Sequence, residues 1–121
     1  MRNLFIFIFI FTYAFSMRLS AINLEQLELE DGFEISIFAD NLDAPRQMVE
    51  GENGTIFVAE RGGQILALID ADKNGQIDSK IIVAKDLTLS TGLSIFDGSL
   101  YFSEISKIWK INSIEEWLKN Q

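Results

Sequence analysis

Cysteine and histidine are both absent from this 121-residue sequence. Without cysteine there is no disulfide framework and no thiolate nucleophile. Without histidine, the commonest general base near neutral pH and the commonest transition-metal ligand are missing. Basic residues are few as well. Ten Lys and Arg against eighteen Asp and Glu give a formal net charge of −8. That balance lacks the positive face that nucleic-acid phosphates require, and it argues equally against an anionic membrane surface as partner. Apolar residues make up 48% of the chain, enough for the core of at most one ordinary domain.

The chain states one phrase twice. Gly54-Thr55-Ile56-Phe57-Val58-Ala59-Glu60 returns 44 positions later as Gly98-Ser99-Leu100-Tyr101-Phe102-Ser103-Glu104. Each copy has a glycine, a small hydroxyl, four largely apolar strand formers and a glutamate. A second strand-like run follows each copy, at Gln64–Ile69 and at 107–111. Several short strands repeated every 40 residues or so are the mark of a β-propeller blade, and the fold class expected is all-β. Two unrelated hairpins that share a small strand alphabet are the alternative.

The N-terminus reads as a targeting signal over residues 1–16. Arg2 supplies a positive start, residues 4–11 are unbroken apolar, and Ala14-Phe15-Ser16 offers the small residues that a signal peptidase reads. The apolar run falls short of the roughly 20 residues that span a bilayer. Cleavage after Ser16, cleavage after Ala21 and an uncleaved anchor all remain open, and a periplasmic or secreted location is expected. Residues 17–31 form a lead-in.

From Gly32 the chain alternates. Phe33, Ile35, Ile37 and Ala39 are separated by Glu34, Ser36 and Phe38, which predicts a half-buried strand over 33–39. A turn cluster follows and ends in Pro45, the sequence's one proline. Strands are predicted at 46–50, 55–60, 64–69 and 80–85, joined by Gly-rich turns and by the loop 70–78: one four-stranded meander over about 45–86. Its middle strands are apolar on both parities, so neighbours are expected on both faces. A second, incomplete meander over about 91–112 has strands at 92–96, 100–104 and 107–111, with Asp97-Gly98 as a tight turn. Ser113 with Glu116 makes a capping box, which predicts a short helix at about 113–119. One and a half blades suggest the opening of a longer protein, or a truncated copy of one. Exposed blade faces and edges would then favour self-association.

The ordered set of motifs resembles the N-terminal part of the glucose/sorbosone dehydrogenase family, in particular its L-sorbosone dehydrogenase-like branch. The residues that carry the likeness are Gly32-Phe33-Glu34-Ile35, Leu42-Asp43-Ala44-Pro45-Arg46-Gln47-Met48, Gly54-Thr55-Ile56-Phe57-Val58, Gly63-Gln64-Ile65, Asp70-Ala71-Asp72-Lys73-Asn74-Gly75 and Gly98-Ser99-Leu100-Tyr101. The resemblance implies a six-bladed, exported quinoprotein. Such an enzyme oxidises sugars or aldehydes with pyrroloquinoline quinone (PQQ) held by Ca²⁺, and passes electrons to an acceptor. It also implies a histidine base, which no position here supplies, so no catalytic residue is assigned.

Asp70, Asp72, Asn74 and Asp78 occupy places one, three, five and nine of an EF-hand-like loop with Gly75 at six. Place twelve, where a bidentate Glu belongs, is Ile81. The loop reads either as a weak Ca²⁺ site or as a polar turn in which Asn74-Gly75 supplies positive φ and the Asp carboxylates cap backbone N–H groups. Arg46 and Arg61, at strand ends, suit an anionic quinone or substrate, or ordinary surface ion pairs. Trp109 and Trp117 read as packing residues, with sugar stacking as the alternative. Two functions stay open: a segment of a quinoprotein dehydrogenase, and a non-catalytic exported binding or assembly module.

Expressed in a Gram-negative host, the product is expected to be periplasmic and to begin near Met17. Intact mass and N-terminal sequencing check this, and cytosolic protein retaining Met1 would contradict it.

Overall fold

The computed structural model describes residues 23–121; the proposed signal segment 1–16 and residues 17–22 of the lead-in lie outside them. Two compact units divide the chain, the second being Ile35–Gln121. Within the first, Leu24–Gln26 makes one 3-10 turn capped by the Asn23 side chain. A further turn closes at Gly32, where Phe33 N–H bonds to the Glu30 carbonyl.

The second unit holds two antiparallel sheets. The first has β1 (Pro45–Glu50), β2 (Ile56–Glu60), β3 (Gln64–Ile69) and β4 (Ser79–Ala84) in sequential order. The second has β5 (Gly92–Phe96), β6 (Ser99–Ser103) and β7 (Ile108–Ile111). Both are the blade-like meanders expected, within a residue or two at each boundary. Among the described residues no helix is long and apolar enough to cross a membrane.

Register decides which residues meet. Phe57 pairs with Val49 and Ala67, and Ala59 with Gln47 and Ile65, so these side chains share one face of the first sheet. That face packs on Leu93, Leu100 and Phe102 of the second sheet, with Ile114 and Leu118 of helix α1 (Ile114–Leu118) closing one end. Phe57, Ile65 and Leu100 are completely buried there. Ile56, Val58, Leu66 and Leu68 lie on the opposite face, under Phe38, Ala39, Leu42 and Ile77. The first sheet is therefore covered on both sides, as its composition requires. The second is covered on one: Phe96 is 71% and Ile108 80% exposed.

Two local expectations are corrected. Residues 33–39 form no strand, because among the described residues no strand lies alongside them to make a ladder. The capping box does not form either. Ser113 is left-handed (φ 47°) and its hydroxyl caps nothing. The Ile114 N–H donates to the Gly98 carbonyl (2.9 Å) instead, and Glu116 pairs with Lys119 (3.5 Å). What pins α1 is Glu115, which accepts from the Thr55 hydroxyl (3.0 Å) on the β1–β2 turn.

Phe57→Ala is expected to cost about 3–5 kcal/mol, for lost burial and the cavity left between the sheets. Met48→Ala, on the exposed side of β1, should change stability by less than about 0.5 kcal/mol. Chemical denaturation of the two variants measures the difference.

Candidate functional site

The start of β1, the end of β2 and the start of β3 all lie at one end of the first sheet, and the same holds for β5, β6 and β7 in the second. Each sheet is approached at this end by a lead loop, residues 40–44 or 85–91. Both loops need left-handed residues: Asn41 and Ala44 (φ 53° and 49°) in the first, Asp86 and Leu89 (φ 60° and 53°) 45 positions on. The repeated glutamates hold these loops. Glu60, 5% exposed, accepts the Asp43 N–H at 2.7 Å. Glu104 accepts the Thr88 N–H at 2.8 Å. Sequence reading found the glutamates as a repeat but missed their role. The signal was their nearly equal distance, 17 and 16 residues, from a loop with the same Leu at Leu42 and Leu87.

Two further contacts fix this end. Ser90 is buried and donates its hydroxyl hydrogen to the Glu60 carbonyl at 2.7 Å. Gly63 sits at φ 90° with the Leu87 backbone against it, where a Cβ would strike the Leu87 carbonyl. Its own carbonyl accepts the Leu87 N–H. A side chain at position 63 would push the second lead loop off the first sheet.

Glu104 has the richer surroundings. Besides Thr88 it accepts the Trp109 indole N–H (3.0 Å) and faces the Lys107 ammonium (3.5 Å). The Thr88 N–H bond foremost, then the indole, then Lys107, hold its carboxyl below the usual carboxylate range. Trp109 thus anchors a carboxylate and stacks on Phe102 (ring centroids 6.5 Å apart), while Trp117 packs against the core between the sheets. Trp117 thus packs as expected, whereas Trp109 packs on Phe102 and stays 42% exposed.

Arg46 and Arg61 are brought to this end together. Pro45 pairs with Glu60 and Gln47 with Ala59, which leaves Arg46 as the extra residue of a β-bulge. Arg61 follows directly on β2, its N–H bonded to the Ala44 carbonyl. Both side chains are exposed. Among the described residues the ion pairs are Lys107–Glu104 and Lys119–Glu116, so the surface ion pairs expected for the two arginines are not formed. Two guanidiniums at one end of a sheet, without carboxylate partners, suit a carboxylate-bearing ligand.

The loop 70–78 lies at the other end of the first sheet, between β3 and β4. Asp70, Asp72 and Asp78 place carboxylate oxygens within 4.8 Å of one another. Those oxygens also cap backbone donors: Asp70 takes the Asn74 and Gly75 N–H groups, Asp72 that of Asn74, and Asp78 that of Ala71 at 2.7 Å. The Asn74 side-chain oxygen is turned to the Gln76 N–H. Positive φ falls at Lys73 and Gly75, so Asn74 is not the left-handed residue expected, because its side chains and backbone serve Asx-type turns on either side. Carboxylates that accept N–H bonds keep lone pairs for a cation.

The chain matches no known family profile. It is 30% identical over 91 residues to an uncharacterized protein of Borreliella burgdorferi, covering 74% of this chain and 22% of that one. Among solved structures it is similar to the holo form of the pyranose dehydrogenase PQQ domain from Coprinopsis cinerea, with a TM-score of 0.62 and 23% identity over 70% of this chain. The likeness shows the fold, all-β with propeller-type blades. This chain spans about a fifth of the length of each.

Glu104, with its lowered pKa, should stabilise the fold above its unfolded value of about 4.3 and lose that contribution as pH falls through the depressed folded value. Glu104→Gln should therefore melt lower than wild type at neutral pH, and the gap should narrow in acid. A gap independent of pH would contradict the assignment. For the loop, Ca²⁺ binding is expected at about 10⁻⁴–10⁻³ M, since the bidentate ligand is missing. Asp72→Ala should abolish any Ca²⁺-dependent rise in melting temperature, and a micromolar site by calorimetry would contradict the turn-like geometry.

Proposed function

We propose that this chain is the N-terminal blade segment of an exported PQQ-dependent dehydrogenase of the glucose/sorbosone type, acting on sugars or aldehydes and inactive by itself. The observation that carries the reading is the pair of stacked meanders that superpose on a PQQ domain. The ordered motifs from Gly32 to Tyr101 support the narrower family, and the Arg2-led apolar segment supports export.

Arg46 and Arg61 are the residues here that would face the quinone, whose carboxylates match unpaired guanidiniums. When bound, the quinone supplies the hydride acceptor. The substrate proton needs a base within about 3 Å and with a pKa near working pH. No histidine exists to provide it, and Glu60 and Glu104 are committed to loop N–H groups. Ca²⁺ belongs to the holoenzyme in this reading, and the electron acceptor is a separate protein or small molecule. The same lack of a base favours a second reading, a non-catalytic exported binding or assembly module built on the same blades.

The chain supplied with PQQ and Ca²⁺ is expected to show no sugar-dependent dye reduction, and turnover would overturn the inactivity. PQQ titration by absorbance separates the two readings. Weak binding that falls roughly tenfold or more in an Arg46→Ala, Arg61→Ala variant supports the quinoprotein segment. No binding, or binding indifferent to both arginines, supports the assembly module.

A further inference from the structure

The Glu60 and Glu104 clamps are built alike, but only the first carries arginines. In each, a glutamate at the close of β2 or just after β6 accepts a lead-loop N–H, from Asp43 at 2.7 Å or from Thr88 at 2.8 Å. In each, the residue after the glutamate returns a bond to the same loop. The Arg61 N–H donates to the Ala44 carbonyl at 3.1 Å, and the Ile105 N–H to the Thr88 carbonyl at 3.2 Å. What the two ends expose differs. Arg61 corresponds to Ile105, which is 71% exposed. Arg46 stands just before Gln47, the partner of Ala59, and so corresponds to Thr91, which stands just before Gly92, the partner of Ser103. The second sheet keeps its clamp with no arginine at either place. Neither guanidinium is therefore required to lay a lead loop on its sheet.

The dependence runs the other way, from the clamp to the arginines. Arg46 is the unpaired residue of the bulge, so no ladder position of its own directs it, and it takes its direction from the loop before it. Arg61 directly follows Glu60. The Glu60 carboxylate, buried at 5% exposure, ties the segment leading into one arginine to the residue next to the other. Glu60 is itself held, since its carbonyl accepts the Ser90 hydroxyl at 2.7 Å and the Gly63 N–H at 3.0 Å. The Asp43 carboxylate lies against Gly62, where a Cβ would come within 2.9 Å of it, and it forms an ion pair with neither arginine. Ordering a loop on binding subtracts from affinity, so a segment fixed beforehand holds a ligand more tightly.

We infer that Glu60 is a positioning residue: by clamping the loop 40–44 it fixes Arg46 relative to Arg61, so that the two guanidiniums meet carboxylates of one ligand. The inference rests on the reading above, in which that ligand is the quinone. Glu60 is buried and acts through Asp43. Glu60→Gln retains an acceptor oxygen for the Asp43 N–H, and Glu60→Ala removes it.

PQQ is titrated by absorbance into the full chain and its variants, each checked for folding by circular dichroism at the titration temperature. Glu60→Ala is expected to weaken PQQ binding roughly tenfold, and Glu60→Gln to bind close to wild type. Asp43→Pro removes the donor N–H while leaving Glu60 in place, and should reproduce the loss. Glu104→Ala breaks the matching clamp of the second sheet. It should lower the melting temperature and leave PQQ affinity unchanged, which a merely structural role for Glu60 would not predict of one clamp and deny of the other. Folded Glu60→Ala or Asp43→Pro chains that bind as wild type, or a Glu104→Ala chain that loses affinity equally, overturn the positioning role and leave the reading of Arg46 and Arg61 standing. Wild-type binding that is absent, or indifferent to both arginines, overturns that reading and the positioning role with it.

Discussion

A β-sheet that is apolar on both faces has to be covered twice, and this constraint governs the molecule. The central strands of the first sheet, β2 and β3, have Phe57, Ala59, Ile65 and Ala67 on one face and Val58, Leu66 and Leu68 on the other, all buried. At about 25 cal/mol per Å² of apolar surface removed from water, neither face can stay wet without forfeiting several kcal/mol. The second sheet answers for one face, and the segment holding Phe38, Ala39 and Leu42 for the other. The lead loops, the clamping glutamates and the pinned helix all follow from keeping those layers in register.

The strands were legible because their signals are local. Alternation over five or six residues, with Gly-rich turns between, places β2, β3, β5 and β6 almost to the residue, and the doubled phrase around Glu60 and Glu104 announces the blade. What was illegible depends on partners far along the chain. Residues 33–39 have as clear a period-2 pattern as β4, but a strand exists only where another offers hydrogen bonds, and sequence periodicity says nothing of that. The Ser113–Glu116 box has the right residues at the right spacing. It fails because Gly98 already supplies an acceptor for the first helical N–H, and that tertiary bond draws Ser113 into the left-handed region.

The candidate site divides in the same way. The chemistry of Asp70, Asp72 and Asp78 was readable because an acidic loop carries its own geometry. Their gathering within 4.8 Å, with backbone N–H groups filling much of the space, follows from turn rules alone. Arg46 and Arg61 are fifteen residues apart, and nothing in composition says that they come to the same end of one sheet. The antiparallel β1–β2 pairing brings them there, with Arg46 the extra residue of the bulge between Pro45 and Gln47.

The glutamate clamps are what hold the layers together at the lead-loop end. Each clamp joins a sheet to the loop that leads into it: Glu60 reaches Asp43 and Glu104 reaches Thr88. An amide could accept the same N–H, but a carboxylate makes a charge-assisted bond, and at Glu104 the indole N–H and an ammonium converge on the same group. The bond orients the loop, and the loop's leucine fills a core: Leu42 on one face of the first sheet, Leu87 between the two sheets. The second strand of each sheet therefore carries the group that fixes what is laid on it: the first sheet in the case of β6, and the segment holding Phe38 and Ala39 in the case of β2. Phe38, Ala39 and Leu42 are therefore held on the first sheet by packing and by the Asp43–Glu60 bond, without a strand ladder of their own.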